Sequence, residues 1–350
     1  MTPDEKYMRM AINLARKGLG MTSPNPMVGA VLVNNGKVVG KGYHKGPGQL
    51  HAEAVALKES GTEASEATLY VNLEPCCHTD KRTPPCTKEI IRSGVKRVVV
   101  GMIDPNPAVN GRGISELIDA GISVDKDILN VDASRLNEIY TKFITSNIPF
   151  VILKSAASLD GKIALSSGES RWITGKVSRR YAHKLRSTVD AVMAGIGTVI
   201  ADDPMLSVRH VKSKGGQPLR IIVDSKLRIP LTSKVLDVST GQKTMVVTTR
   251  QSPAVKIKEL ENLGIRTVIA DTREDGEVSL QSLMNILGKS GVTSILIEGG
   301  SEINASALRE CIVDKLVIIY SARIIGGRDS VGIVGGHSPK SLDESVFLRD

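Results

Sequence analysis

From residue 51 onward, helical stretches and short apolar runs take turns along the chain: a helix to about Ser60, then "ATLYVNL", a helix from about Cys86 to Ser93, then "RVVVGM", a helix after Gly113, and "ISV". The second half continues in the same style. Strands are expected at "DAVMAG", "LRIIVDS", "KTMVVTT", "RTVIA", "SILIEGG" and "KLVIIY", and helices over about 175–189, 254–263, 278–290 and 301–310. Such alternation restricts the chain to an α/β sandwich around mainly parallel sheets.

Before this series, Thr2 as N-cap, Pro3 at the first helical position and Glu5 completing a capping box start a helix that runs to Gly18. "MVGAVLVNNGKVVGKGYH" then reads as a β-hairpin turning at Asn35-Gly36. A helix over about 133–145 ends in "SNIP", where a new series begins with "FVILKSA". The boundary therefore falls within 146–149, dividing the chain into residues 1–146 and 147–350. At 350 residues and 41% hydrophobic composition, each part can bury its own core. No fixed-period repeat or low-complexity segment is present.

The four cysteines are too few and too bunched for a disulfide framework, which suits a reducing compartment and a metal or catalytic thiolate. The N-terminus starts acidic with helical spacing, unlike a signal peptide, and no apolar run approaches the roughly 20 residues of a membrane span. A soluble cytoplasmic protein is expected. The net charge of +9 favours anionic partners, but aromatic residues are only 3% and do not interleave with the basic ones as a base-stacking platform requires. A small anionic molecule is expected in preference to nucleic acid or membrane.

The densest chemistry lies in "HAEAVALKES" (51–60) and "LEPCCHTDKRTPPC" (73–86). His51 and Cys86 each open a helix, whose positive end favours a thiolate, and Cys76 follows a strand at the same sheet edge. One imidazole and two thiolates leave the fourth tetrahedral position of a zinc ion open for water. Glu53, not needed as a ligand, can take a proton from that water and return it to departing ammonia, so hydrolytic deamination follows from the parts. A structural zinc knot is the plainer reading, and Cys77 and His78 are rival ligands. The ordered arrangement of His-x-Glu, strand, Pro-Cys and helix-opening cysteine favours catalysis. The nine residues between Cys76 and Cys86 exceed the two of the usual nucleobase-deaminase pattern, and Lys81-Arg82 within them could hold an anionic substrate. Cys311 reads as a core residue.

In the second half, "AGIGTVIADDP" lacks the third glycine of a dinucleotide fingerprint. "SILIEGGSEINASALREC" is better suited to phosphate: a strand ends in Glu298, two glycines let the backbone approach a ligand, and a helix begins near Glu302.

Four segments of the first half, "PNPMVGAVLV" (24–33), "GYHKGPGQLHAEAVAL" (42–57), "LEPCCHTDKRTPPC" and "DPNPAVNGRGI" (104–114), resemble the deaminase half of the bacterial bifunctional riboflavin-biosynthesis deaminase/reductase family. "LKSAASLDGKIALSSGESRWITG" (153–175), "LRSTVDAVMAGIGTVIADDPMLSVR" (185–209) and "IIVDS" (221–225) resemble its reductase half, in the family's order. The resemblance implies a cytidine-deaminase-like three-layer domain followed by a dihydrofolate-reductase-like domain, zinc and NADPH as cofactors, and a homo-oligomer of two or four chains. The implied substrate is a diaminopyrimidinone bearing a ribosylamino phosphate, which first loses an amino group and then has its ribose reduced.

By the same resemblance, Asn25, His44, Arg82, Asp104 and Asn106 contact the first substrate. Ala156, Trp172, Thr198, Asp202, Ser225 and the run Gly300, Ser301, Glu302, Ile303, Asn304, Ala305 and Ser306 bind NADPH. Ser170, Arg186, Leu206, Arg209 and Glu298 bind the second substrate. Plainer readings accompany these: Asn25 and Asn106 in Asn-Pro turns, Trp172 in a core, either arginine as a solvated charge, Asp160 and Gly161 shaping a turn, and Lys154 pairing with a carboxylate. Family members continue into a further strand beyond this chain's "SVFLRD", implying a shortened sheet edge. Two other functions fit the residues: a nucleoside or tRNA-base deaminase joined to an unrelated reductase, and a basic nucleic-acid-binding protein with structural zinc.

Overall fold

The computed structural model describes residues 1–78 and 84–348. The chain divides into two compact units, Met1–Asn147 and Ile148–Asp350.

In the first unit the order is α1 (Pro3–Ala15), β1 (Gly29–Asn34), β2 (Lys37–Tyr43), α2 (Ala52–Ser60), β3 (Thr68–Val71), α3 (Cys86–Arg92), β4 (Arg97–Val100), α4 (Arg112–Asp119), β5 (Ser123–Asp125), α5 (Asn130–Leu136) and α6 (Glu138–Ser146). The Thr2/Glu5 capping box forms as the sequence predicts. Asn35 and Gly36 both take positive φ, 49° and 75°, as a two-residue hairpin turn needs. The sheet order is β2-β1-β3-β4-β5, with β1 antiparallel to both neighbours and β3, β4 and β5 parallel. The sheet is therefore mixed, not mainly parallel, because the hairpin turns the chain back before the crossovers begin.

Glycines let helices approach both faces of this sheet. A Cβ on Gly29 would lie 2.1 Å from the Ala11 carbonyl of α1, and one on Gly42 would lie 2.2 Å from the Ala52 carbonyl of α2. Gly42 pairs with Ala30, the residue after Gly29, and successive strand residues face opposite ways, so α1 and α2 cover opposite faces. Asp4 fastens α1 to the sheet, accepting from the Tyr70 hydroxyl at 2.7 Å and from two Arg97 nitrogens at 2.9 and 2.8 Å.

The expected helix over 133–145 is in fact two. It breaks at Asn137, with φ −106° and ψ 20°, where the buried side chain bonds to Met27 instead of facing solvent.

The second unit contains β6 (Phe150–Ala157), β7 (Lys162–Ala164), α7 (Lys176–Arg186), β8 (Ala191–Gly195), α8 (Ile196–Asp202), β9 (Leu219–Val223), β10 (Thr244–Thr248), α9 (Ala254–Asn262), β11 (Arg266–Ile269), α10 (Leu280–Lys289), β12 (Ser294–Ile297), α11 (Ser301–Arg309), β13 (Lys315–Tyr320) and β14 (Val331–Gly332). Its seven-stranded sheet, ordered β11-β10-β9-β8-β12-β6-β13, is parallel at every pairing. From β8 the chain proceeds outward through β9, β10 and β11, then returns to place β12 on the other side of β8. That reversal opens a crevice beyond the carboxyl ends of β8 and β12. The small β7–β14 ribbon and α8 were not expected from the sequence: the ribbon is too short to show a period, and α8 lies in the glycine-bearing run 194–204, weighed only against a dinucleotide fingerprint.

Candidate active sites

The first unit encloses a cavity of about 670 Å³ lined by Asn25, His44, His51, Glu53, Glu74, Cys76, Asp104 and Asn106, among others. His51 is the N-cap residue of α2, yet its side chain makes no cap bond; its Nδ1 instead lies 3.4 Å from Cys76 Sγ and 3.3 Å from Cys86 Sγ. One ligand atom from each of these three residues lies within 4.8 Å of the others, and they are the one metal-competent group among the described residues. Cys77 and His78 stand outside it.

An imidazole and two sulfurs suit zinc with one position open. A second observation favours such a centre: Glu53 is 3% exposed and its Oε2 has no hydrogen-bond partner among the described residues. Burial and the adjacent Cys76 sulfur push its carboxyl above the ordinary range. A buried carboxylate oxygen left this way is expensive unless the site brings it a proton donor such as water.

The residues around this centre are held by defined bonds. His44, 3% exposed, has Nδ1 3.2 Å from the Leu50 carbonyl and Nε2 3.0 Å from Asn25 Nδ2. A carbonyl only accepts, so Nδ1 carries the proton and Nε2 accepts from Asn25, which turns the Asn25 amide oxygen away from His44. Burial keeps His44 below its usual pKa and so neutral. Asp104 accepts from the Tyr140 hydroxyl and from the Asn106 backbone N–H, both at 2.9 Å, and burial raises its pKa to about 6. Arg82, with its neighbour Lys81, lies outside the described residues.

Several wall residues carried no sequence signal of their own. Tyr140, Phe143 and Ile144 of α6 line the cavity. Glu74, 2% exposed, accepts backbone N–H bonds from Asp104, Gly111 and Ile114 at 3.1, 2.9 and 3.1 Å, tying the 104–114 segment to the turn that bears Cys76. Its place beside Pro75-Cys76 was the available hint.

The second unit holds a cavity of about 530 Å³ at the crevice beyond β8 and β12. Of the expected cofactor contacts, Ala156, Trp172, Thr198, Asp202, Gly300, Ser301, Glu302 and Ile303 line it; of the expected substrate contacts, Ser170, Arg186, Arg209 and Glu298 do. Ser225, Leu206, Asn304, Ala305 and Ser306 are not on its wall. Ser225 donates to Glu277 at 2.6 Å and accepts from the Val278 N–H, and Leu206 is buried with its carbonyl bonded to Gln242. Asn304 and Ala305 are buried and Ser306 is half-buried along α11.

The charge centre of this cavity is Glu298. It pairs with Arg186 through two bonds of 2.5 and 2.8 Å and lies 3.7 Å from Lys154 Nζ. Burial pushes the carboxyl up, but Arg186 and Lys154 outweigh it and hold Glu298 at about 2. Arg186, which the sequence offered to a phosphate, thus spends its charge on a carboxylate. Arg209 has no carboxylate partner among the described residues; its backbone N–H donates to His183 Nδ1 at 3.1 Å, and burial with the charges of Arg186 and Arg209 lowers His183 to about 4. Trp172 is 62% exposed, so core packing does not account for it; Arg179 stacks over its ring at 4.2 Å. Asp160 lies in a turn as expected, closed by the Gly161 N–H to the Ser158 carbonyl at 3.0 Å, and its carboxylate accepts from the distant Ile325 and Gly326 N–H groups at 3.0 and 2.7 Å. Cys311 is exposed at φ 52°, just past α11, and is not a core residue.

No helix among the described residues is long and apolar enough to cross a membrane. Residues 1–102 match the cytidine and deoxycytidylate deaminase zinc-binding region, and residues 149–348 match the RibD C-terminal domain. The riboflavin biosynthesis protein RibD of Aquifex aeolicus is 43% identical over 346 residues, covering 99% of this chain and 94% of that protein. That of Escherichia coli is 38% identical over 334 residues, covering 92% and 89%. Among solved structures, Acinetobacter baumannii RibD superposes with a TM-score of 0.86 at 36% identity, over 98% of this chain and 93% of that one. The Thermotoga maritima diaminohydroxyphosphoribosylaminopyrimidine deaminase/5-amino-6-(5-phosphoribosylamino)uracil reductase gives 0.84 at 34%, over 97% and 92%. With two cavities of matching chemistry and likeness along nearly its whole length, the chain belongs to the RibD family of riboflavin biosynthesis proteins.

Proposed function

We propose that the chain carries out two consecutive steps of riboflavin biosynthesis: hydrolytic deamination of a diaminopyrimidinone ribosylamino phosphate in residues 1–146, then NADPH-dependent reduction of its ribosyl chain in residues 147–350. One observation carries the first step. A buried carboxylate with an unmatched oxygen lines the same cavity as His51 and Cys76, which with Cys86 place an imidazole and two sulfurs within 4.8 Å of one another.

His51, Cys76 and Cys86 would hold zinc, which supplies the Lewis acidity that makes water nucleophilic at neutral pH. Glu53 takes the water's proton at Oε2 and delivers it to the leaving ammonia. Asn25, through its amide oxygen, and Asp104 with Asn106 orient the pyrimidine, while His44 keeps Asn25 turned; Arg82 meets the phosphate.

In the second cavity NADPH supplies the hydride. The backbone from Gly300 to Ile303 at the start of α11 receives the cofactor phosphates, and Ala156, Trp172, Thr198 and Asp202 complete its site. Glu298, charge-balanced by Arg186 and Lys154, accepts hydrogen bonds from the ribose hydroxyls; Arg209, with Ser170, binds the phosphate end. None of the four cysteines, all among the described residues, is in a disulfide, which accords with a cytoplasmic enzyme. A homo-oligomer of two or four chains completes the proposal and is tested by light scattering.

Glu53→Gln tests the reading. Ammonia release should fall at least 1,000-fold, about the scale of a lost general base and more, while NADPH oxidation on already deaminated substrate stays within twofold of the parent. Deamination that survives the change would overturn the assignment.

A further inference from the structure

We propose that Asn137 is a positioning residue for deamination, fixing the segment that presents Asn25 to the substrate cavity. The proposal rests on the reading of Asn25 as a substrate contact.

The helical pattern over 133–145 would accommodate an unbroken helix, yet the chain gives up that continuity at Asn137, between α5 and α6. The side chain released there is 1% exposed and spends both halves of its amide on one residue 110 positions away. Oδ1 accepts the Met27 N–H at 2.8 Å, and Nδ2 donates to the Met27 carbonyl at 3.0 Å. This is how a neighbouring strand would engage a residue, reproduced by a single side chain.

Asn72, fully buried, grips the same place from the sheet: its Nδ2 donates to the Met27 carbonyl at 3.0 Å and its Oδ1 accepts the Gly29 N–H at 2.8 Å. Met27 is therefore held from two elements, and Asn25 stands two residues before it, bonded to His44. Asn137 also leads into a second part of the cavity wall. α6 starts at the next residue and carries Tyr140, whose hydroxyl holds Asp104. One buried amide thus ties the Met27 segment to the start of α6, and both segments line the same cavity. Nothing in it touches the reacting atoms, so its effect must appear in binding, not in the chemical step.

The test is a cycle of Asn137→Ala, Asn25→Ala and the double variant in the full-length protein, with steady-state deamination, zinc per chain and NADPH oxidation measured on each. Asn137→Ala should raise the deamination KM about tenfold with kcat changed less than threefold. Zinc content and reductase rate should stay as in the parent. If Asn137 acts through Asn25, the double variant should have a KM close to that of Asn25→Ala alone, a non-additivity that a merely structural role would not produce. Additive effects, an unchanged KM in Asn137→Ala, or a loss of zinc and kcat together would overturn the proposal. An unchanged KM in Asn25→Ala would instead remove the reading of Asn25 on which it rests. Should Asn137→Ala fail to accumulate, Asn137→Asp keeps the acceptor for the Met27 N–H and should show the same direction with a smaller rise; an Asp variant with parental KM would equally overturn it.

Discussion

Single side chains in this protein are informative mainly through what they are paired with. Glu298 has two cationic partners in a nearly dry site, 12% and 12% exposed for Lys154 and Arg186 against its own 6%. Replacing it by glutamine leaves those cations uncompensated, which costs about 3–5 kcal/mol when one partner of a buried pair is removed. Glu298→Gln should therefore reduce NADPH oxidation at least 100-fold while ammonia release remains within twofold, as steady-state assays of the two half-reactions would show. The pH dependence follows from the depressed pKa. The native value is about 2 against about 4.3 when unfolded. The stability Glu298 contributes is thus full above about pH 4.3 and is lost as pH falls towards 2, so parent and variant should differ at pH 7 and converge in acid denaturation. His51, Glu53, Cys76 and Cys86 were legible in the sequence because metal donors and a spare carboxylate are rare types at a telling spacing. Asn137 was not, since its meaning lies in the Met27 backbone, which no local pattern connects to it.

At the level of elements, close helix approach is written into glycines but can be read only once the partner is known. Gly42 faces the carbonyl of Ala52, the residue after His51, at a distance that excludes a Cβ. Gly42→Ala must push the first turn of α2 outward, and overpacking of this kind costs about 1–3 kcal/mol. The expected outcome is a lower thermal midpoint for the first unit and weaker zinc retention in competition with a chelator, because His51 moves with that turn. α1, the hairpin and the α/β alternation appear where capping, Asn-Gly chemistry and periodicity place them, since all three are local properties. The split of α5 from α6 and the mixed pairing of the first sheet were hidden, because each depends on contacts made far along the chain.

The whole molecule consists of two units with separate hydrophobic cores, one built on Leu32, Leu69 and Leu117 and the other on Leu153, Met193 and Ile221. Separate cores unfold as separate transitions unless their interface is large. Calorimetry should resolve two transitions, and removing zinc with a chelator should lower only that of Met1–Asn147, since a ligand stabilises the unit that binds it. A chelator that shifts both equally would show that the units unfold together. By itself the sequence determined the kinds of element, the donor set around the proposed zinc and the two-part plan, for these rest on composition and spacing between near neighbours. Tertiary structure alone decided that Arg186 answers Glu298, that Ser225 and Leu206 stand away from the second cavity, and that one asparagine joins two walls of the first. Strand order and helix crossings bring such groups together, and they depend on pairings between residues a hundred positions apart.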